Sequence, residues 1–92
     1  MNRPVEAIDV YDDVVNRFGD ADKDELREQV AKALYYKGIT LGEMNRPVEA
    51  IDVYDDVVNR FQGTTETGLQ DLVTRVLDLK GKLSDRIIQS DS

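Results

Sequence analysis

The segment MNRPVEAIDVYDDVVNRF occupies residues 1–18 and recurs without change as residues 44–61, so Met1 returns as Met44 after a period of 43 residues. Periods between about 20 and 50 residues are typical of stacked supersecondary units. Each unit in such an array buries its apolar surface against its neighbours. The duplication therefore predicts an array of similar units and not one closed globule.

The composition of the 92 residues excludes several classes of function. The chain has no cysteine and no histidine, which removes disulfides, thiolate chemistry and the commonest general base. Its net charge is −7, and no basic cluster offers a surface to a phosphate backbone. No apolar run reaches the length of a membrane span, and residues 1–10 lack the apolar core of a secretory signal. We expect one cytoplasmic domain that is not an enzyme, has no cofactor and binds neither nucleic acid nor membrane.

The repeated segment predicts two helices, over residues 3–18 and 46–61. Asn2 can cap the first of them, and Pro4 falls in the first turn, where a missing N–H costs nothing. The apolar side chains cover more of the surface than the single stripe of a surface helix. They are Val5, Ala7, Ile8, Val10, Tyr11, Val14, Val15 and Phe18. This breadth predicts a helix that is buried on two sides.

A second kind of helix is predicted over residues 23–42. Gly19 can end the preceding helix in a left-handed conformation, and Asp22 can cap the new one with Glu25 as its capping-box partner. Five apolar residues keep helical spacing for the core: Leu26, Val30, Ala33, Leu34 and Leu41. Gly38 lies in mid-helix, where glycine costs about 1 kcal/mol relative to alanine. We therefore expect another helix to approach closely at Gly38.

The last third of the chain matches the second helix after a shift of 43 positions. Leu69, Val73, Leu77, Lys80 and Gly81 then fall on Leu26, Val30, Leu34, Lys37 and Gly38. This alignment predicts a divergent helix over residues 66–88, capped by Thr64 or Thr65. Its polar sequence after Gly81 suits an outermost capping helix. Residues 89–92 are expected to fray.

The spacing of six residues resembles the signature of the tetratricopeptide repeat (TPR) family. These residues are Leu34, Gly38, Leu41, Ala50, Tyr54 and Val57. In that family a glycine of the first helix and an alanine of the second face each other, which implies that Gly38 opposes Ala50. The chain departs from the family at Lys37, where leucine is usual, and at Gln62, where proline is common. Its unit of 43 residues is also longer than the family's, which has about 34.

The resemblance implies an all-α fold of antiparallel helix–turn–helix repeats, stacked as a short α-solenoid over residues 1–92. The four helices follow the order B-A-B-A, where A and B are the first and second helices of the family's unit. The implied function is a protein–protein interaction module or scaffold that binds a protein or peptide partner. The A helices line the concave face, at Lys32, Tyr35, Ile39, Glu43, Arg75, Asp78, Lys82 and Arg86. This set differs from the lysine, asparagine and arginine set that clamps a carboxylate in some family members, so that activity is not carried over. For each of these residues a solvated helix surface is favoured over ligand contact.

The first helix lacks, within these residues, the A helix that precedes a B helix in the family. Side chains of this kind stabilise by about 1.5–3 kcal/mol each on burial, so we expect its open face to be covered. The expected self-association face consists of Ile8, Tyr11, Val15 and Phe18. Since the two copies are identical, a second chain can cover it by end-to-end stacking or helix exchange. The alternatives are local collapse with fraying of residues 1–18 and an engineered or purely structural repeat without a natural ligand.

Two acidic patterns are weighed as metal or catalytic sites. Asp20, Asp22 and Asp24 open like a calcium loop, but Glu25 stands where glycine is needed and Ala31 where the bidentate glutamate belongs. A helix-capping loop is expected there. The repeated helix carries a second set of aspartates with no polar group to orient a substrate, so we expect a solvated convex face. This set contains Asp9, Asp12, Asp13, Asp52, Asp55 and Asp56.

Overall fold

The computed structural model describes residues 4–20 and 22–90, with side chains described up to residue 88. These residues form four α-helices, and no strand occurs among them. The helices are α1 (Pro4–Phe18), α2 (Asp24–Glu43), α3 (Pro47–Phe61) and α4 (Thr67–Ser90). The predicted all-α class is confirmed. None of the helices in this part of the chain combines the length and the apolar composition that crossing a bilayer requires.

The helix ends differ from the predicted ones by one or two residues. Helix α4 continues to Ser90, so two residues of the expected frayed tail are helical. The predicted cap Asn2 and the last two residues of the tail lie outside the described residues. The Glu66 amide donates a 3.2 Å hydrogen bond to Oγ1 of Thr64, but α4 begins only at Thr67. Thr64 therefore forms a turn before the helix and is not the predicted cap.

Two predicted helix-terminal features are wrong. The N-cap of α2 is Lys23, which makes no side-chain capping bond, because the helix begins at Asp24 and leaves Asp22 one residue too early to cap it. No described glycine has a positive φ, so Gly19 is not left-handed. The left-handed residue of the described chain is Asn45, with φ 62°, in the turn between α2 and α3.

The four helices pack in two layers. Each helix contacts the next in sequence, and α2 also contacts α4, whereas α1 contacts neither α3 nor α4. The short turns make successive helices antiparallel, so α2 and α4 run parallel. The smallest dimension of the molecule is 19 Å, which fits two helices of about 10–12 Å diameter. Helices α1 and α3 form one layer and α2 and α4 the other, as in a short α-solenoid.

Helix α2 lies at the centre of the core because it contacts all three other helices. The core cluster comprises Val30, Ala31, Leu34, Leu41, Ala50, Tyr54, Val57, Phe61, Leu69, Val76 and Leu83. Helix α1 contributes no fully buried residue, although its sequence is identical to that of α3. The predicted burial on two sides is therefore correct for α3 and wrong for α1, which has a neighbour on one side only.

Two ion pairs occupy equivalent positions in the two repeats. The Lys37 ammonium lies 2.5 Å from a carboxylate oxygen of Asp12. The Lys80 ammonium lies at the same distance from Asp55. Each residue of the second pair follows its counterpart by 43 positions, so α4 packs on α3 as α2 packs on α1. This pairing also gives a reason for Lys37, which stands where the TPR signature has leucine.

The mid-helix glycine of α2 lies against an aromatic ring. A Cβ atom at Gly38 would lie 2.7 Å from Cζ and 2.8 Å from Cδ1 of Tyr54. The predicted close approach is confirmed, but the nearest group is the ring of Tyr54 and not Ala50. Around the counterpart Gly81, no described atom beyond its own stretch of helix lies within 4 Å of the Cβ position.

Candidate functional site

The expected binding face lies along the line where α2 and α4 run side by side. Three grooves open along this line, with volumes of about 210, 280 and 400 Å³. Seven of the eight residues of the expected face line the two larger of these grooves. They are Lys32, Tyr35 and Arg75 in the middle groove, and Ile39, Glu43, Lys82 and Arg86 in the larger one. Asp78 lies outside both grooves and pairs with Lys82 at 3.1 Å.

The largest of these three grooves lies between the C-terminal halves of α2 and α4 and has an apolar floor. Tyr54, Leu79 and Leu83 form this floor beside Ile39. Burial raises the pKa of Tyr54 to about 12, and the nearby Tyr35 adds to the shift. The hydroxyl therefore stays neutral at physiological pH, and the floor carries no charge. From the sequence, these floor residues are recognised as core residues and not as part of a site. The reason is that the groove forms where α2, α3 and α4 come together.

The middle groove combines aromatic side chains with two cations that form no ion pair within the described part of the chain. Tyr35 packs edge-on against Tyr36, with ring centroids 5.4 Å apart. Lys32 and Arg75 are exposed, and neither forms an ion pair with another described residue. Most other described cations are paired, namely Arg17, Arg27, Lys37, Arg46, Arg60, Lys80 and Lys82.

Lys32 and Arg75 are counterparts in the repeat, 43 positions apart. The structure brings them to the same groove from the two parallel helices. An arginine can hold a carboxylate through two parallel hydrogen bonds, and such charge-assisted bonds are stronger than neutral ones. Asp71 also lines this groove, so a partner must place its anionic group on the cationic side.

The expected self-association face is divided between two sides of α1. Ile8, Val15 and Phe18 are half-buried and pack against the chain's own core. Tyr11 stacks on Tyr36 of α2, with ring centroids 6.1 Å apart. Ile8, Val15 and Phe18 are therefore partly covered within the chain, whereas Tyr11 touches α2 and stays partly exposed. The open side of α1 instead includes Val10, which is 61% exposed.

Ala7 and Val14 lie on the same open side of α1. Their counterparts in α3, Ala50 and Val57, are fully buried, whereas Ala7 and Val14 are only partly buried. Sequence reasoning missed them because the two copies are identical. A signal was nevertheless present in the helical spacing of Ala7, Val10 and Val14, which follows one side of the helix.

The repeated aspartates do not form a uniformly solvated face. Asp12 and Asp55 bind lysines of the neighbouring helix, as described above. Asp13 and Asp56 pair within their own helices with Arg17 and Arg60. No group of three acidic residues that could hold a metal ion occurs among residues 4–20 and 22–90. Within this stripe, Asp12 and Asp55 therefore link α1 to α2 and α3 to α4.

Comparisons with known proteins add no relative to this picture. No protein-family model, no curated protein and no solved structure matches the chain. The grooves and the open helix faces are therefore interpreted from their own geometry and chemistry.

Proposed function

We propose that the chain is a protein–protein interaction module of the helical-repeat type. It binds an extended peptide or protein segment along the line between α2 and α4, and it associates with its own copies through the repeated helix faces. The observation that carries the proposal is the combination of an apolar groove with two unpartnered cations on one continuous surface. Such surfaces, with a few polar groups beside apolar pockets, are typical of recognition sites.

The length of the surface suits a short peptide. Helix α2 has 20 residues, which corresponds to about 30 Å at a rise of 1.5 Å per residue. An extended peptide advances about 3.3 Å per residue, so about nine residues would cover the line of grooves. The proposed ligand is therefore a linear segment and not a small molecule.

The lining residues specify the chemistry of that segment. The floor at Tyr54, Leu79 and Leu83 accepts an apolar side chain. Lys32 and Arg75 accept a carboxylate one groove further toward the N-terminal end of α2. Because these cations are exposed, each contact contributes little to affinity. We expect weak binding that salt reduces further.

The test uses nine-residue peptides that carry one apolar residue and none, one or two acidic residues, with binding measured by fluorescence anisotropy. The double variant Lys32→Glu, Arg75→Glu should weaken binding of the acidic peptides about tenfold or more, equivalent to about 1.4 kcal/mol. Lys23→Glu is the single-charge control, because Lys23 is exposed and lies outside the grooves. Equal losses per reversed charge in both variants would contradict the proposal.

A second candidate is a purely structural or engineered repeat without a natural ligand. The observation that favours it is the unchanged recurrence of eighteen residues at positions 1–18 and 44–61. Under this alternative no peptide of the series binds saturably, while helicity and stability are normal. The same anisotropy experiment therefore separates the two candidates.

A further inference from the structure

Helix α4 carries an uncovered copy of the surface on which α2 holds α3. In the covered case, Gly38 of α2 lies under the ring of Tyr54. Leu34 of α2 and Val53 of α3 line the same groove. We call Leu34 and Gly38 the docking face of α2.

The shift of 43 positions transfers this docking face to α4 with both residues unchanged. Leu34 corresponds to Leu77, and Gly38 corresponds to Gly81. Leu34 is 4% exposed, whereas Leu77 is 50% exposed. Gly38 is buried under Tyr54, whereas nothing lies within 4 Å of the Cβ position of Gly81. Helix α4 thus keeps the leucine and the glycine without a described helix over them.

Helix α1 carries the matching surface. Its sequence is identical to that of α3, so Val10 and Tyr11 correspond to Val53 and Tyr54. Val53 packs against the core, whereas Val10 is 61% exposed. Tyr54 is 2% exposed, whereas Tyr11 is only partly buried. Within the described residues, α1 therefore presents the kind of surface that covers the docking face of α2.

We infer that two copies of the chain bind head to tail, with α1 of one copy on α4 of the next. Tyr11 of the first copy covers Gly81 of the second, and Val10 contacts Leu77, as α3 contacts α2 within one chain. The inference rests on the self-association part of the proposed function and not on binding of peptides in the grooves. Its template is an interface that the molecule already contains.

The contact between copies is weaker than its template. Arg27, whose guanidinium lies 5.8 Å from the centre of the Phe61 ring, is replaced by Gln70 on α4, so the cation–π attraction is absent. Two buried residues of α2, Ala31 and Leu41, correspond to the polar Thr74 and Ser84 on α4. These changes reduce the apolar area and make the association reversible and dependent on concentration.

The interface joins two different surfaces, so it is heterologous. A heterologous contact leaves one free face at each end of a dimer, and growth continues unless the rotation closes a ring. The expected products are a ladder of trimers and larger species, or a ring of fixed size. A contact that joined two α1 helices would stop at the dimer.

The test is sedimentation velocity of the full chain from micromolar to millimolar concentration, with the wild type expected to exceed the mass of a dimer. Gly81→Arg blocks the docking face of α4, and Val10→Asp blocks the matching face of α1. Each variant alone should remain monomeric. An equimolar mixture should form heterodimers and nothing larger, because one intact face of each kind remains. Circular dichroism checks that both variants keep their helicity.

Two control substitutions match the blocking variants. Val48→Asp introduces the same charge at a valine that is also 61% exposed, on α3. Gly63→Arg adds the same side chain at a glycine with nothing within 4 Å, in the turn before α4. Both controls should assemble like the wild type.

Three outcomes would overturn the inference. They are a monomer at every concentration, assembly that survives Gly81→Arg, and a mixture that remains monomeric. A dimer of two α1 faces or of exchanged helices would survive Gly81→Arg. Peptide binding reports on the other proposal separately, since Gly81 lies outside the grooves. If the chain fails to assemble but still binds peptides, only the head-to-tail contact is contradicted. If the chain assembles but binds no peptide, only the proposed function of the grooves is contradicted.

Discussion

The ring of Tyr54 lies so close to Gly38 that a methyl group at residue 38 would overlap it. At Gly81, one repeat later, the same position is open. The two glycines are counterparts in the repeat, each preceded by a lysine, but their environments are opposite. Their substitution by alanine measures what the contact with Tyr54 contributes.

Gly38→Ala should destabilise the chain by about 1–3 kcal/mol, because the tyrosine ring must move out of its place. Gly81→Ala should instead stabilise the monomer by up to about 1 kcal/mol, the intrinsic preference of a helix for alanine over glycine. Urea unfolding followed by circular dichroism at low concentration measures both. If the two variants changed stability in the same direction, the close contact at Gly38 would be wrong.

The ion pair between Lys37 and Asp12 should couple α1 to α2. A double-mutant cycle with Lys37→Met and Asp12→Asn is expected to give about 0.5–1 kcal/mol of coupling. Added salt should reduce the value, because the side chains are 24% and 43% exposed and therefore screened.

The pair formed by Arg17 and Asp13 is the control for this cycle. It lies within α1, and its side chains are 68% and 59% exposed, so its coupling should not exceed about 0.5 kcal/mol. The repeat also supplies an internal replicate, since Lys80 and Asp55 should give nearly the value found for Lys37 and Asp12. A coupling of zero in both inter-helical pairs would contradict the role assigned to them.

Tyr54 should make the fold sensitive to alkaline pH. Its pKa is raised from 10.0 to about 12 in the folded chain by burial. The unfolded chain therefore loses this proton first as the pH rises. The stabilisation is complete below pH 10 and is lost progressively as the pH rises toward 12. Unfolding titrations on Tyr54→Phe should show a smaller loss over this range than the wild type, and an identical loss would refute the prediction.

Glu66 should change the stability of the fold at acidic pH. Partial burial and a hydrogen bond with Asp24 raise its pKa above 4.5, although Arg27 opposes the shift. The folded chain thus holds this proton more tightly than the unfolded chain. The resulting stabilisation is complete below pH 4.5 and is lost as the pH rises through the folded-state pKa.

Glu66→Gln resembles the protonated side chain at every pH. Relative to this variant, the wild type should become more stable as the pH falls from neutral toward 4.5. Urea unfolding at several pH values measures the difference. Thr65→Gln provides the control, because Thr65 is exposed and lies next to Glu66 in the same turn. A difference that does not depend on pH would argue against a raised pKa.

The sequence predicted the helices well because their signals are local or repeated. Helix α4 shares few residues with α2, but the shared lysine and glycine set its register, which the ion pair of Lys80 with Asp55 supports. The helical spacing of Val30, Leu34 and Leu41 correctly placed them in the core. Gly38 was interpreted correctly as a point of close approach.

The degree of burial could not be predicted where identical or matching residues have different neighbours. Leu77 matches the buried Leu34 but is half exposed, because α4 packs on one side only. Tyr11 and Tyr54 share one sequence context and differ in exposure for the same reason. The floor of the largest groove comes from three helices, so no single stretch of sequence reveals it.

The two kinds of helix contact also imply an order in which the molecule comes apart. An ion pair supports α1 on α2 and α4 on α3, whereas an aromatic ring on a glycine holds α2 to α3. Concentrated electrolyte weakens only the first kind. The most persistent part of the molecule is then the α2–α3 hairpin, and amide hydrogen exchange should be slowest there. The cooperative unit of unfolding is therefore out of phase with the 43-residue period, since it joins the second half of one unit to the first half of the next.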